Sequence, residues 1–151
     1  MARAPRRDDT MAMTLIDTPD APSAAGTLPT GLALGPVDLT VADLQRSVAW
    51  YRRSLGLQVY RQAADAAELR DGARTLVVVD ENRHAQPAGR HAGLYHYALL
   101  YPSRPELARA ATRLAVTRTP IQGASDHRTH EAIYLPDADG NGIELAVRAG
   151  R

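Results

Sequence analysis

Apolar and polar residues alternate over 34–41, with Val37, Leu39 and Val41 on one face and Leu34, Asp38 and Thr40 on the other. That period of two predicts a half-buried strand. At Asp43 the period changes: Leu44, Val48, Tyr51 and Leu55 recur at helical spacing behind an N-cap aspartate, and Gly56 follows where a left-handed cap ends a helix. Strands are predicted at 57–61, 66–70 and 74–80, with Asp71-Gly72 as the hairpin turn between the last two.

The same order then returns. A strand is predicted over 93–101, and Pro102-Ser103 opens a helix whose apolar stripe is Leu107, Ala110, Ala111 and Leu114. Strands follow at 120–123, 131–135 and 142–147, with a tight turn at 139–142 that lacks the further acidic ligands of a calcium loop. Strand, helix and three strands, written twice at an offset of about 60 residues, describe an internal duplication. The expected fold is α+β: two βαβββ modules, about 32–82 and 91–148, forming a curved, cup-like mixed sheet with helices on its outer face. The Pro-, Gly- and Arg-rich stretch 84–90 reads as the linker between them.

Residues 1–31 carry no such pattern and read as a disordered leader, with Met11 and Met13 as alternative starts. Asp8 and Asp9 follow the early arginines directly, so no signal peptide is expected. No run approaches the length of a membrane span, and the expected location is cytoplasmic. A net charge of +1 over 151 residues gives no reason to expect nucleic acid or membrane as partner. The chain has no Cys and no Lys, which excludes thiolate metal sites, thiol nucleophiles, Schiff-base lysines and a P-loop. Five histidines, six tyrosines and the carboxylates remain for chemistry.

Positions pointing away from the helices should line the concavity. On the first strand these are Asp38 and Thr40; on the last, Glu144 and Ala146. The strand at 93–101 allows either the Leu94–His96–Ala98 face or the Tyr95–Tyr97–Leu99 face, and aligning the strand-to-helix junctions places His96 near Asp38. Asp38, His96 and Glu144 are thus candidates to converge, and an imidazole with two carboxylates suits Fe, Mn, Zn or Ni. The same residues, taken singly, also suit solvated strand positions. Trp50 and Tyr51 read as core residues, and the arginines of the second helix as a solvated face.

The duplication, together with VDLTVADLQRSVAWYRRSLGL (37–57) and PDADGNGIEL (136–145), resembles the vicinal oxygen chelate superfamily, which includes glyoxalase I, bleomycin-resistance proteins and extradiol dioxygenases. The second half is most similar to catechol 2,3-dioxygenase-type proteins, above all to the N-terminal domain of their two-domain members. The resemblance implies a divalent metal, Fe or Mn, held by His96 and Glu144, with Asp38 at the first-half position where active enzymes carry His. It places Leu76 opposite Glu144 in the repeat, which disfavours glyoxalase activity. It further implies Tyr134 and His127 as catalytic residues, with His130 as substitute, and a small substrate with adjacent oxygens. Two other readings accompany this one: a metal-free small-molecule binding protein, and a non-catalytic partner domain. A homodimer is expected, because open sheet edges pair well.

Overall fold

The computed structural model describes residues 33–86 and 93–150. The leader and most of the linker lie outside these residues. The first module runs β1 (Val37–Val41), α1 (Leu44–Trp50) continued by a π-helical turn (Tyr51–Leu55), β2 (Gln58–Gln62), β3 (Ala66–Arg70) and β4 (Thr75–Glu81). The second runs β5 (His96–Leu100), α2 (Arg104–Val116), β6 (Gly123–Asp126), β7 (His130–Pro136) and β8 (Gly142–Arg148). Each module forms one four-stranded mixed sheet, ordered β1-β4-β3-β2 and β5-β8-β7-β6. The first strand of each lies parallel to the last, and the other pairs are antiparallel. This is the α+β, twice-βαβββ architecture expected.

Local chemistry explains the helix ends. The Asp43 carboxylate accepts from the Arg46 amide at 2.9 Å, and Glu81 accepts from the Leu44 amide at 3.1 Å, so two free amides of the first turn are satisfied across the module. Those contacts hold the Glu81 carboxyl below its usual range, the Leu44 amide first and Arg83 second. Gly56 ends the π-helical turn at φ 76°, the left-handed conformation its lack of Cβ permits. The largest departure from the sequence reading is β6, which begins at Gly123 instead of ending there. Its Gly-Ala-Ser-Asp sequence is largely exposed on the sheet edge and held by backbone pairing to β7, so no apolar period marks it.

One core serves both modules: Leu39, Val41, Leu44, Val48 and Leu69 pack in the same cluster as Tyr97, Leu107, Leu114, Ile143 and Leu145. A polar seam crosses it. The Tyr51 hydroxyl donates to Asp137 at 2.8 Å and lies 3.0 Å from the Tyr97 hydroxyl. Asp137 also accepts from the Asp139 amide and from both the amide and side chain of Asn141. Asp139 in turn accepts from the Ala42 amide, Arg46 and the Ser47 hydroxyl. The turn between β7 and β8 is therefore the latch by which the second module grips α1 of the first. Burial drives the Tyr51 and Tyr97 hydroxyls well above the ordinary range, so both stay neutral donors.

Candidate functional site

The strand register of the second sheet builds the site. His96 stands opposite Gly142, and Ala98 opposite Glu144, across the parallel β5–β8 pair. Across β7–β8, Tyr134 stands opposite Glu144, Ala132 opposite Ala146, and His130 opposite Arg148. With a period of two, His96, Glu144, Tyr134 and His130 share one face. Ile143, Leu145 and Val147 turn the other way into the core, as the alternation of that strand predicts.

Glu144 is the centre of the cluster. It is only 8% exposed, and each of its oxygens meets a different imidazole: His96 Nε2 at 2.9 Å and His130 Nε2 at 3.3 Å. Between His130 and Glu144 the sheet carries only Ala132 and Ala146, whose small side chains leave the longer ones room to meet. Tyr134 hydrogen-bonds His127 Nε2 through its hydroxyl at 3.0 Å. His127 stacks on His130, with centroids 4.6 Å apart and planes 27° apart. The Thr129 hydroxyl lies 3.0 Å from His130 Nδ1, engaging that ring's second nitrogen. Desolvation, and next the negative charge of Glu144, push the Tyr134 hydroxyl above its ordinary range.

Beside this cluster opens a cleft of about 450 Å³ lined by Tyr95, His96, Gln122, Tyr134 and Gly142, among others, a size suited to a small molecule. Gly142 is required there for space: a Cβ would lie 2.5 Å from the Tyr95 carbonyl oxygen and 3.0 Å from His96 Cβ. The two largest hollows, one under α2 and one beside the π-helical turn, are lined by no histidine.

Asp38 is exposed on β1, opposite Val78. Among the described residues no three His, Asp or Glu side chains are grouped so as to hold an ion, so Asp38 does not join His96 and Glu144 in one. The helix N-caps give a repeat alignment shifted by two residues. Counted back from Asp43 and Ser103, the first-half counterpart of His96 is Pro36, and Asp38 corresponds to Ala98. Because Asp38 pairs with Val78 as Ala98 pairs with Glu144, the counterpart of Glu144 is Val78, not Leu76. A slip of two residues keeps every side chain on its face, so alternation alone cannot detect it. Neither Pro36 nor Val78 offers a metal donor.

Comparison with known proteins agrees with this fold. The model of the Glyoxalase/Bleomycin resistance protein/Dioxygenase superfamily matches residues 33–145. Over 115 residues the chain is 43% identical to catechol-2,3-dioxygenase of Bacillus subtilis (strain 168), covering 74% of this chain but 40% of that protein. The chain thus spans about two-fifths of the length of that relative. Among solved structures, a glyoxylase/bleomycin resistance protein/dioxygenase domain from Frankia sp. EAN1pec matches with a TM-score of 0.66 at 22% identity, covering 78% of this chain and 93% of that one. A glyoxalase/dioxygenase from Nostoc punctiforme matches with 0.63 at 22%, covering 85% and 100%. These likenesses concern the fold.

Proposed function

This chain belongs to the glyoxalase/bleomycin resistance protein/dioxygenase superfamily, and from that membership we propose that it binds a small molecule with adjacent oxygens in the His96 cleft and moves protons on it. The observation that carries the reading is the convergence of His96 and His130 on one nearly buried carboxylate, beside a Tyr–His hydrogen bond. A hydroxyl of the ligand placed against His96 loses its proton to the imidazole, and Glu144, 2.9 Å away, stabilises the imidazolium that forms. Tyr134 remains neutral and hydrogen-bonds a second ligand oxygen, held in place by its 3.0 Å contact with His127. His130, engaged by Thr129 and by the other oxygen of Glu144, holds that carboxylate in place.

His96 and Glu144 suit Fe or Mn in kind, but among the described residues no three His, Asp or Glu side chains are grouped to hold an ion, His130 being turned to the other oxygen of Glu144. The chain by itself therefore fits such an ion incompletely, and the proton chemistry above is assigned to its own side chains. A second reading, an extradiol dioxygenase-like metalloenzyme, is favoured by the 43% identity to a catechol-2,3-dioxygenase. In that case His96 and Glu144 would be the residues that hold the ion. When bound, the ion would supply Lewis-acid chemistry and dioxygen activation. As partners we propose a second copy of the chain, to be checked by light scattering, and as location the cytoplasm.

The test is a spectrophotometric titration with 4-nitrocatechol, a chromophore bearing adjacent hydroxyls, on wild type and His96→Ala, each with and without chelator. A saturable shift that chelator leaves intact and His96→Ala weakens by about tenfold or more supports the first reading. A shift that needs added Fe(II) or Mn(II), with stoichiometric metal uptake, supports the second. No saturable shift in any arm, or an unchanged one in His96→Ala, overturns both.

A further inference from the structure

The hollow beside the π-helical turn, of about 780 Å³, has a chemistry unlike the histidine cleft. Three arginines line it: Arg52 and Arg53 from the turn, and Arg113 from α2 of the other module. Among the described residues none of the three has a carboxylate partner, whereas Arg46, Arg61, Arg83, Arg104 and Arg109 each have one. The remaining polar lining is neutral, Gln58 and Gln62, and no acidic side chain borders it. On a chain whose net charge is only +1, this is a local concentration of positive charge.

Arg113 is held in place by a second feature. Its guanidinium lies against the backbone of Gly56, where a Cβ would come within 2.8 Å of Cζ and 3.0 Å of Nε and Nη2. The missing side chain thus seats the arginine over the carbonyl end of the turn, whose negative pole it offsets. Arg52 and Arg53 retain their charge for a ligand. Guanidinium groups present paired N–H donors matched to tetrahedral and planar oxyanions, and the two glutamine amides add neutral donors.

We propose that this groove, formed by both modules and separate from the histidine cleft, binds the phosphoryl group of a small phosphorylated molecule. The groove's lining is confined to residues 49–62 and Arg113, a compact set that suits a small molecule better than an elongated nucleic acid.

The probe is inorganic pyrophosphate, titrated calorimetrically into the full chain at near-physiological salt, with amide shifts read in parallel. Expected are saturable binding, a shift of the Gly56 amide, and a loss of about tenfold or more in the Arg52→Ala/Arg53→Ala double variant. Both arginines are exposed, so the fold should survive. Gln58→Glu, which puts a carboxylate in the groove without touching an arginine, should weaken binding likewise, and Arg104→Ala, at a distant paired arginine, should leave it unchanged. Absence of saturable binding, equal affinity in the double variant, or tighter binding of a duplex DNA oligomer than of pyrophosphate would overturn the proposal.

Discussion

Tyr51 is where the coupling between the two modules can be measured. Its hydroxyl proton goes to Asp137, so the Tyr97 hydroxyl must donate to the Tyr51 oxygen. Tyr51→Phe therefore removes a hydrogen bond to a charged acceptor, worth about 1.5–3 kcal/mol, and strands the buried Tyr97 hydroxyl at a further cost of about 1–3 kcal/mol. Asp137 keeps its other three donors and Tyr97 can swing toward it, which limits the sum to roughly 2–4 kcal/mol. Tyr97→Phe leaves the bond to Asp137 standing and should cost about 0.5–1.5 kcal/mol. The double variant strands no hydroxyl, so it should fall short of the sum of the singles by about 1 kcal/mol. Urea unfolding at neutral pH, with slopes compared to check that the transition stays two-state, reads all three values. If Tyr51→Phe lies within about 0.5 kcal/mol of wild type, or if the singles simply add, the seam does not couple the modules.

Other outcomes follow from features already described. Gly142→Ala should cost about 1–3 kcal/mol and weaken ligand binding in the cleft, because its Cβ would meet the Tyr95 carbonyl oxygen and push β5 and His96 away; thermal unfolding and the nitrocatechol titration check the two parts. Asp139→Ala strips the acceptor from the Ala42 amide, Arg46 and Ser47, and should lower stability by about 1–3 kcal/mol, read as a drop in urea midpoint. The Glu81 carboxyl is lowered by the Leu44 amide and Arg83, so its contribution is present above the ordinary glutamate range and lost as pH falls through the lowered value. Glu81→Gln should accordingly be less stable than wild type at neutral pH, with the gap closing in acid.

The elements that sequence located well are those where local chemistry and burial agree. Asp43 caps α1 and Gly56 ends the helical run because both act on neighbouring backbone, and β8 alternates because one face meets the core. Other features depend on partners far along the chain. Asp137 and Asp139 look like turn residues, and their role at the seam exists only because Tyr51 and Arg46 pack over them. His130 shares its parity with Tyr134, which was readable, but its contact with Glu144 depends on the two small alanines between. For Asp38 the alternation indicated only a face of β1; its place in the repeat needed the helix N-caps as landmarks.

The turn that latches α1 also supplies a wall of the histidine cleft, since Gly140 and Gly142 both line it. Its Asp137 and Asp139 ends answer to side chains of the first module. The half of the chain that carries no imidazole in the cluster therefore sets the width of the cleft in the half that does. By linkage, a ligand that prefers the seated turn must draw the two halves together as it binds, and anything that loosens α1 must weaken that ligand by the same factor. The duplicated halves have in this sense divided their labour: one keeps the reactive groups, and the other has become the frame against which they are measured.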